Sequence, residues 1–227
     1  MSLAGSGALA IWHDIALEGR EEFYAWHGRE HMPERVAIPG IRRGRRYVAT
    51  DAELEFFNLY EAAAKSVLTG PDYRARVENP TPWTLSAVRH FRNVARSICH
   101  VEASFGPGKG GLVATLRYDV PDDRVALHRG KMGRLLGALA AEPGICGGHL
   151  LHADVEASSV ANAEQRARAE ANRVPRWIAV VEGWGDETPF RAACREALSN
   201  ANLLDVGAAG PAEVGFYRFQ CACEAAG

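Results

Sequence analysis

Residues 26–47 read Trp26-His27-Gly28-Arg29-Glu30-His31-Met32-Pro33-Glu34-Arg35-Val36-Ala37-Ile38-Pro39-Gly40-Ile41-Arg42-Arg43-Gly44-Arg45-Arg46-Tyr47. The first part sets aromatic and titratable side chains at helical spacing, with His27 and His31 four residues apart on one helix face. Pro33 has no N–H to donate and its ring crowds the preceding turn, so the helix is expected to end or kink near Met32. Pro39-Gly40 is a turn pair, and the basic run after it reads as a strand, Ile41 to Ala49. The turn recurs downstream: Pro143-Gly144-Ile145-Cys146-Gly147-Gly148 shares the pattern P-G-I-x-x-G with Pro39 to Gly44. A pattern that occurs twice over this length marks a duplication rather than a solenoid.

Working outward, the first half predicts a strand at Ala8–Ile15, a helix at Glu18–Val36, and strands at Ile41–Ala49 and Leu54–Ala62. A short helix at Ser66–Val77 broken by Gly70-Pro71, a loop at Asn79–Pro82 and a strand within Val88–Ser104 complete it. In the first strand Leu9, Ile11, His13 and Ile15 share one face, and Ala10, Trp12 and Asp14 the other. This β-α-β-β-α-β order is the ferredoxin-like split motif. Gly106 to Gly111 is a linker. The pattern then restarts with strand Leu112–Val120, helix Asp122–Ala141, strand Arg176–Trp184, helix Pro189–Leu204 and strand Glu213–Glu224. Glu182 falls where Glu61 falls in the first half. Val155–Arg173 is an inserted polar helix without a counterpart, of a kind suited to mobility or partner contact. The expected units are therefore 8–105 and 112–224, joined by 106–111. A four-stranded split sheet leaves one face bare, and that face must be covered. Trp12, Phe56 or Phe57, Tyr60 and Phe91 supply the apolar bulk. The expected fold class is α+β, two ferredoxin-like halves packed sheet to sheet as an eight-stranded barrel with room for one small ligand.

The 227 residues suffice for a substantial core, and 47% hydrophobic with 24% charged residues is ordinary for a globular chain. A formal net charge of -2 gives no global pull toward nucleic acid or an anionic membrane. Arg42, Arg43, Arg45 and Arg46 read as a solvated strand edge, with a phosphate or carboxylate site as the alternative. No run approaches the about 18 apolar residues of a membrane span. The five cysteines contain no C-x-x-C pair; Cys221 and Cys223 share a strand face as small apolar residues, and a reduced, cytoplasmic setting is expected. Met1-Ser2-Leu3 and the Gly-Ser after it read as a flexible start. Gly106 to Gly111 lacks the hydroxyl residue of a phosphate-binding Walker loop and runs into a strand.

The run W-H-x-x-x-H-M-P-E-R followed by P-G-I-x-x-G-R-R-Y is similar to the helix and strand of EthD-like proteins within the dimeric α+β barrel superfamily, over His13 to Tyr60. The second half matches that pattern but has Lys131-Met132 and Leu135-Leu136 in place of the motif. The resemblance implies a tandem-duplicated barrel. Its relatives include cofactor-free monooxygenases, isomerases, cyclases and haem proteins, so the fold alone leaves the reaction open.

The residues expected to carry chemistry are His31 as a proton-transfer group, because an imidazole titrates near neutrality, with Tyr60 or Arg46 steadying oxyanion charge. Trp12, Trp26, His27, Tyr47, Asn58 and Phe91 are expected to line the ligand space. His27 and His31 also have a two-ligand metal spacing, but Glu30 is displaced by one position from the H-E-x-x-H pattern, and no metal is expected. Glu30, Glu34 and Arg35 are expected to pair with Arg45 or Arg46 on the surface. His100, His128, His149 and His152 read as surface groups, and His13 as a buried, satisfied histidine.

The leading expectation is a small-molecule-binding barrel, read as a cofactor-independent enzyme of monooxygenase, isomerase or cyclase type acting on an apolar or aromatic carbonyl compound. The alternatives are a haem-binding barrel and a non-catalytic interaction protein with a filled interior. The polar residues occur once, so one site per chain is expected, lined mainly by the first half, and any homodimer would use outer surfaces.

Overall fold

The computed structural model describes residues 3–168 and 170–225. Eight antiparallel strands close into one barrel: β1 (Gly7–Ile15), β2 (Ile41–Asp51), β3 (Phe56–Ala62), β4 (Phe91–Phe105), β5 (Leu112–Tyr118), β6 (Ile145–Ala153), β7 (Trp177–Gly183) and β8 (Glu213–Glu224). The order around the barrel is β1-β3-β2-β8-β5-β7-β6-β4, closing back on β1. Each half contributes a ferredoxin-like sheet, β4-β1-β3-β2 and β6-β7-β5-β8. The two seams are β2 with β8, where Tyr47 faces Phe219, and β4 with β6, where Cys99 faces Ala153. Closure removes every sheet edge that a free four-stranded half would leave.

The helices lie outside. In the first half, α1 (Arg20–Trp26) runs through a π-turn at His27–His31 into α2 (Met32–Val36), and α3 (Pro71–Glu78) and α4 (Pro82–Ala87) follow β3. The second half carries α5 (Val125–Leu139), the insertion helices α6 (Val155–Ser159) and α7 (Ala163–Arg168), then α8 (Glu187–Ala197) and α9 (Asn200–Asp205). The sequence predicted a loop at Asn79–Pro82 and no element for 83–87, where α4 lies. Thr81 caps that helix by accepting from the Thr84 amide at 3.0 Å, and Pro82 needs no donor at its first position. The single inserted helix is instead two short ones; Ala169 within its expected span lies outside the described residues.

The repeated P-G-I-x-x-G has a backbone reason. Gly40 and Gly144 sit at φ +91° and +82°, which glycine adopts without steric cost. Gly44 gives passage to a neighbour: a Cβ there would stand 2.6 Å from the Tyr60 ring.

Strand alternation sorts the side chains into three compartments. Ala8, Ala10, Trp12, Tyr47, Phe57, Val113, Leu151, Ile178 and Tyr217 fill the lumen. Trp12 stacks on Phe57 at 4.9 Å and donates to Thr115 Oγ1 at 3.1 Å. Leu3, expected in a flexible start, is buried in this cluster, and the Ala4 amide donates to Glu61; Met1 and Ser2 lie outside the described residues. The second half's helices cover its sheet through Leu116, Met132, Leu136, Leu150, Trp177, Ala179, Val181 and Phe216. The first half's helix layer meets its sheet through two smaller clusters, one around Phe23, Trp26, Phe56 and Phe91, the other around Leu9, Met32, Tyr60 and Ile98.

Three surface expectations are corrected. β2 pairs on both sides, so it is no edge: Arg43, Arg45 and Arg46 are buried, and Arg42 alone of the four is exposed. Arg43 and Arg45 turn into one end of the lumen, where Arg43 chelates Glu61 at 2.6 Å and Arg45 bridges Glu61 and Glu182. His149 joins at 3.3 Å from Glu182 and is fully buried, as is His128, which sits between Tyr118 OH and the Val206 carbonyl. Glu34 pairs with Arg76 and Arg35 with Glu164, because Arg45 faces the opposite side of the sheet from α2 and Arg46 is engaged by Gln220 and His27. Burial raises the Glu182 pKa, but hydrogen bonds from His149 and Arg45 outweigh it and hold the carboxyl down to about 2.

Candidate functional site between helix and sheet

The space expected between the two sheets is filled, and the polar residues gather on the other side of the first sheet. Pro33 explains the start of that arrangement. Its ring cannot donate to the carbonyl of Arg29, and the helix takes up the mismatch in the wide turn just before it, where the Met32 amide bonds His27 O. The helix therefore continues through Pro33 where an ending or kink was expected. Both histidines of this turn face the sheet: the rings of His27 and His31 lie 5.4 Å apart, His31 packs on Trp26 at 4.3 Å, and Tyr60 stands 6.4 Å away.

A small cavity of about 50 Å³ opens here. Its walls come from the sheet (Ile11, Tyr60, Phe91, Arg96), from α1, the turn and α2 (Trp26, His31, Arg35), from Tyr73 of α3, and from the insertion (Glu164, Arg168, Asn172). Trp26 is held by donating Nε1 to Thr84 at 3.1 Å, and Glu30 accepts from Thr81 and Thr84, so α4 braces the turn. Arg35 forms a buried ion pair with Glu164 that ties the insertion over the first half.

Four buried polar atoms that line this cavity have no protein hydrogen-bond partner: His31 Nδ1, Arg35 Nη1, Tyr60 OH and Arg168 Nε. Leaving one such group unmet costs about 1–3 kcal/mol, so four around one space need an explanation beyond packing.

Electrostatics keeps the histidines neutral. Burial, then Arg35, then His27 and His13, depress the His31 pKa well below the ordinary histidine range. Burial, then Arg46, does the same to His27, whose Nδ1 lies 3.3 Å from the Arg46 guanidinium and so accepts from it. His13 is pushed down to about 3 by burial. Its Nδ1 meets the Asp14 carbonyl at 3.3 Å and its Nε2 accepts from Asn58 at 2.9 Å, as expected of a satisfied buried histidine. Burial raises the Tyr60 phenol, so it remains a protonated donor.

The predicted site residues thus divide. His31, Tyr60, Trp26 and Phe91 line the cavity. His27, Arg46 and Asn58 sit on the same side of the sheet but outside the lining. Arg46 spends its donors on Gln220 (2.9 Å) and His27, and its guanidinium lies over Tyr24 at 4.9 Å. Trp12 and Tyr47 point into the lumen, across the sheet from His31, and share no space with it. Arg96, Arg168 and Tyr73 were not singled out in the sequence, and Arg35 was assigned only an ion pair; the insertion's part in the wall had no local signal. A metal ligand at His27 Nδ1 would have to displace Arg46, and the inner cavity alone, at about 50 Å³, is too small to enclose a haem.

No family model and no curated protein matches the chain at a significant level. Solved structures match over nearly the whole length. An anthrone oxidase-like protein superposes with TM-score 0.68 at 12% identity, covering 100% of this chain and 97% of that one. A candidate monooxygenase from Lactobacillus acidophilus gives TM-score 0.59 at 11% identity, with 96% of each chain covered. A haem-binding protein from Thermus thermophilus gives 0.51 at 10%, covering 96% of this chain and 92% of that one. At these identities the likeness establishes the fold, a dimeric-type α+β barrel with both ferredoxin-like halves in one chain. No helix among the described residues is long and apolar enough to cross a membrane.

Proposed function

We propose that the chain binds a small organic molecule in the space between the π-turn and the outer face of the first sheet, and acts on it without a tightly bound organic cofactor. The observation that carries this reading is the convergence of four unpartnered buried polar atoms, an imidazole nitrogen, a phenol and two guanidinium N–H groups, on one cavity. The anthrone oxidase-like and monooxygenase-like neighbours favour an aromatic carbonyl compound as substrate.

In this reading neutral His31 accepts a proton at Nδ1 from the carbon or hydroxyl next to the substrate carbonyl. Tyr60 OH and Arg35 Nη1 donate to the oxygen on which negative charge develops. His31 is a weak base because it is buried and lies beside the Arg35 charge. A developing enolate beside it would offset that field and raise its basicity when the proton moves. Arg35 and Tyr60 are better placed for the oxyanion than Arg46. The role left to Arg46 is positioning, holding His27 in its acceptor tautomer beneath the turn.

The test is a thermal-shift screen of aromatic carbonyl compounds, with product analysis of the hits under air. Hits should be lost with His31→Ala and Tyr60→Phe and retained with Tyr47→Phe in the lumen. Turnover that survives His31→Ala in a folded protein, or hits lost only with Tyr47→Phe, would overturn the reading.

A further inference from the structure

The cavity wall carries an unbalanced charge. Three guanidinium groups line it, those of Arg35, Arg96 and Arg168, against one carboxylate, Glu164, which already pairs with Arg35. Arg96 is buried, at 8% exposure, and donates to Tyr73 OH at 3.0 Å; Arg168 donates to Asn172 Oδ1 at 2.6 Å and leaves Nε unmet. Among the described residues neither has a carboxylate within ion-pair distance. A buried Arg96 and a half-buried Arg168 with a buried Nε, hydrogen-bonded only to neutral partners, are costly. Burial and then the proximity of Arg96 push the Arg168 pKa down to about 10, against the smaller opposing pull of Glu164 and Glu170.

The inner cavity also has a neighbour. A groove of about 350 Å³ lies between α3 and the insertion, floored by Leu68, Val77, Ile98, Ala157 and Val160. Tyr73, Arg96 and Asn162 line both spaces, so they form the partition between them. Val160 is left 63% exposed at the groove. Alone, the inner cavity holds a few atoms; together the two spaces reach the ~300–1,000 Å³ of small-molecule sites. Their polarity runs from apolar outside to cationic inside.

We infer that the ligand is an organic carboxylate: its apolar body lies along the groove of α3 and the insertion, and its carboxylate enters at the partition between Arg96 and Arg168. The guanidinium forks suit paired carboxylate oxygens. Because Tyr73 accepts from Arg96, its own hydroxyl hydrogen is free to join them. This rests on the proposed site and names the class of molecule that reaches it.

Calorimetric titration of the whole chain with decanoate and 2-naphthoate, against the neutral decanamide and 2-naphthamide, tests the inference. The expected result is that at least one carboxylate binds tenfold or more tightly than its amide. Arg96→Met and Arg168→Met should each remove that preference while leaving the amide's affinity within about threefold. Each protein's melting temperature is read alongside: the carboxylate should raise it in the wild type and in Val214→Thr, on the far side of the barrel, but not in the arginine variants. Equal binding of acid and amide, both lost with His31→Ala, would overturn the carboxylate and leave the proposed site standing. A preference that survives both arginine variants would also overturn it. No binding by any of the four compounds would count against both the carboxylate and the site.

Discussion

The two halves of this chain share a backbone and differ in what lies between helix and sheet. On β3 the outward positions are Phe56, Asn58 and Tyr60; at the matching places β7 has Trp177, Ala179 and Val181. Over β3 the helix turns through His27 and His31, and over β7 α5 presents Met132 and Leu136. The second gap is a solid apolar cluster. The first holds the neutral histidines His13, His27 and His31 and a cavity lined by His31, two phenols and three arginines. The same fold thus supports one compartment packed around apolar side chains, with Trp177 Nε1 its one unmet buried polar atom among the described residues, and one in which four unmet buried polar atoms converge on a cavity. The contrast teaches where to look: the lumen, shared by both halves, is filled by Trp12, Tyr47, Phe57 and Tyr217.

The largest expected effect comes from importing first-half polarity into the second half. Val181→Asn places an amide in a fully buried apolar cluster and should cost about 3 kcal/mol, read by urea unfolding. A cost under ~1 kcal/mol would mean that the second gap is as tolerant of polar groups as the first, and the comparison would break.

Much of the fold was legible in the sequence, and the reasons are local. The P-G-I-x-x-G repeat reflects two backbone demands present in both halves, a left-handed glycine and a close approach to the last glycine, by Tyr60 at Gly44 and by the Leu136 carbonyl at Gly148. The alternation in β1 placed Leu9, Ile11 and His13 opposite Trp12, and the structure keeps that division. Which face turns inward depends on where the helices lie. Assigning the ligand space to the lumen therefore grouped Trp12 and Tyr47 with His31, though a sheet separates them. The arginines of β2 looked solvated because their partners, Glu61 and Glu182, are remote in sequence. The insertion was illegible as a wall for the same reason: Arg35 and Glu164 are 129 residues apart.

An intermediate effect should appear as pH falls. The folded-state pKa values of His13, His27 and His31 lie below the unfolded value of about 6.5. Below that pH the unfolded chain binds protons that the folded chain refuses, so stability present above it is lost as pH drops. Each such histidine contributes a slope of up to about 1.4 kcal/mol per pH unit until its folded pKa is reached. Denaturant unfolding at pH 7.5 and 5.5 should show the loss shrinking in His27→Gln and His31→Gln. His128→Gln should change it less, since His128 is depressed by burial but its Nδ1 bond to the Val206 carbonyl opposes the shift. Equal changes from all three would remove the distinction between the gaps.

The smallest effect is the sharpest for function. Tyr60→Phe deletes a buried hydroxyl without a protein partner, so stability should stay within about 1 kcal/mol or rise. Tyr118→Phe in the second half removes a hydroxyl that meets His128 at 3.1 Å and should lower stability by about 1 kcal/mol. Stability measured beside ligand retention separates a residue kept for binding from one kept for packing.

The histidines report on all three compartments: His31 and His27 in the first gap, His128 in the second, and His149 in the lumen. Nitrogen-15 NMR of their imidazoles, recorded during titration with the tightest-binding compound of the carboxylate and carbonyl panels, tests the location of the site most directly. The His31 resonances should move most, with His27 following and His128 and His149 staying in place. Movement of His149 with His31 unchanged would put the ligand in the barrel lumen and contradict its placement in the first gap.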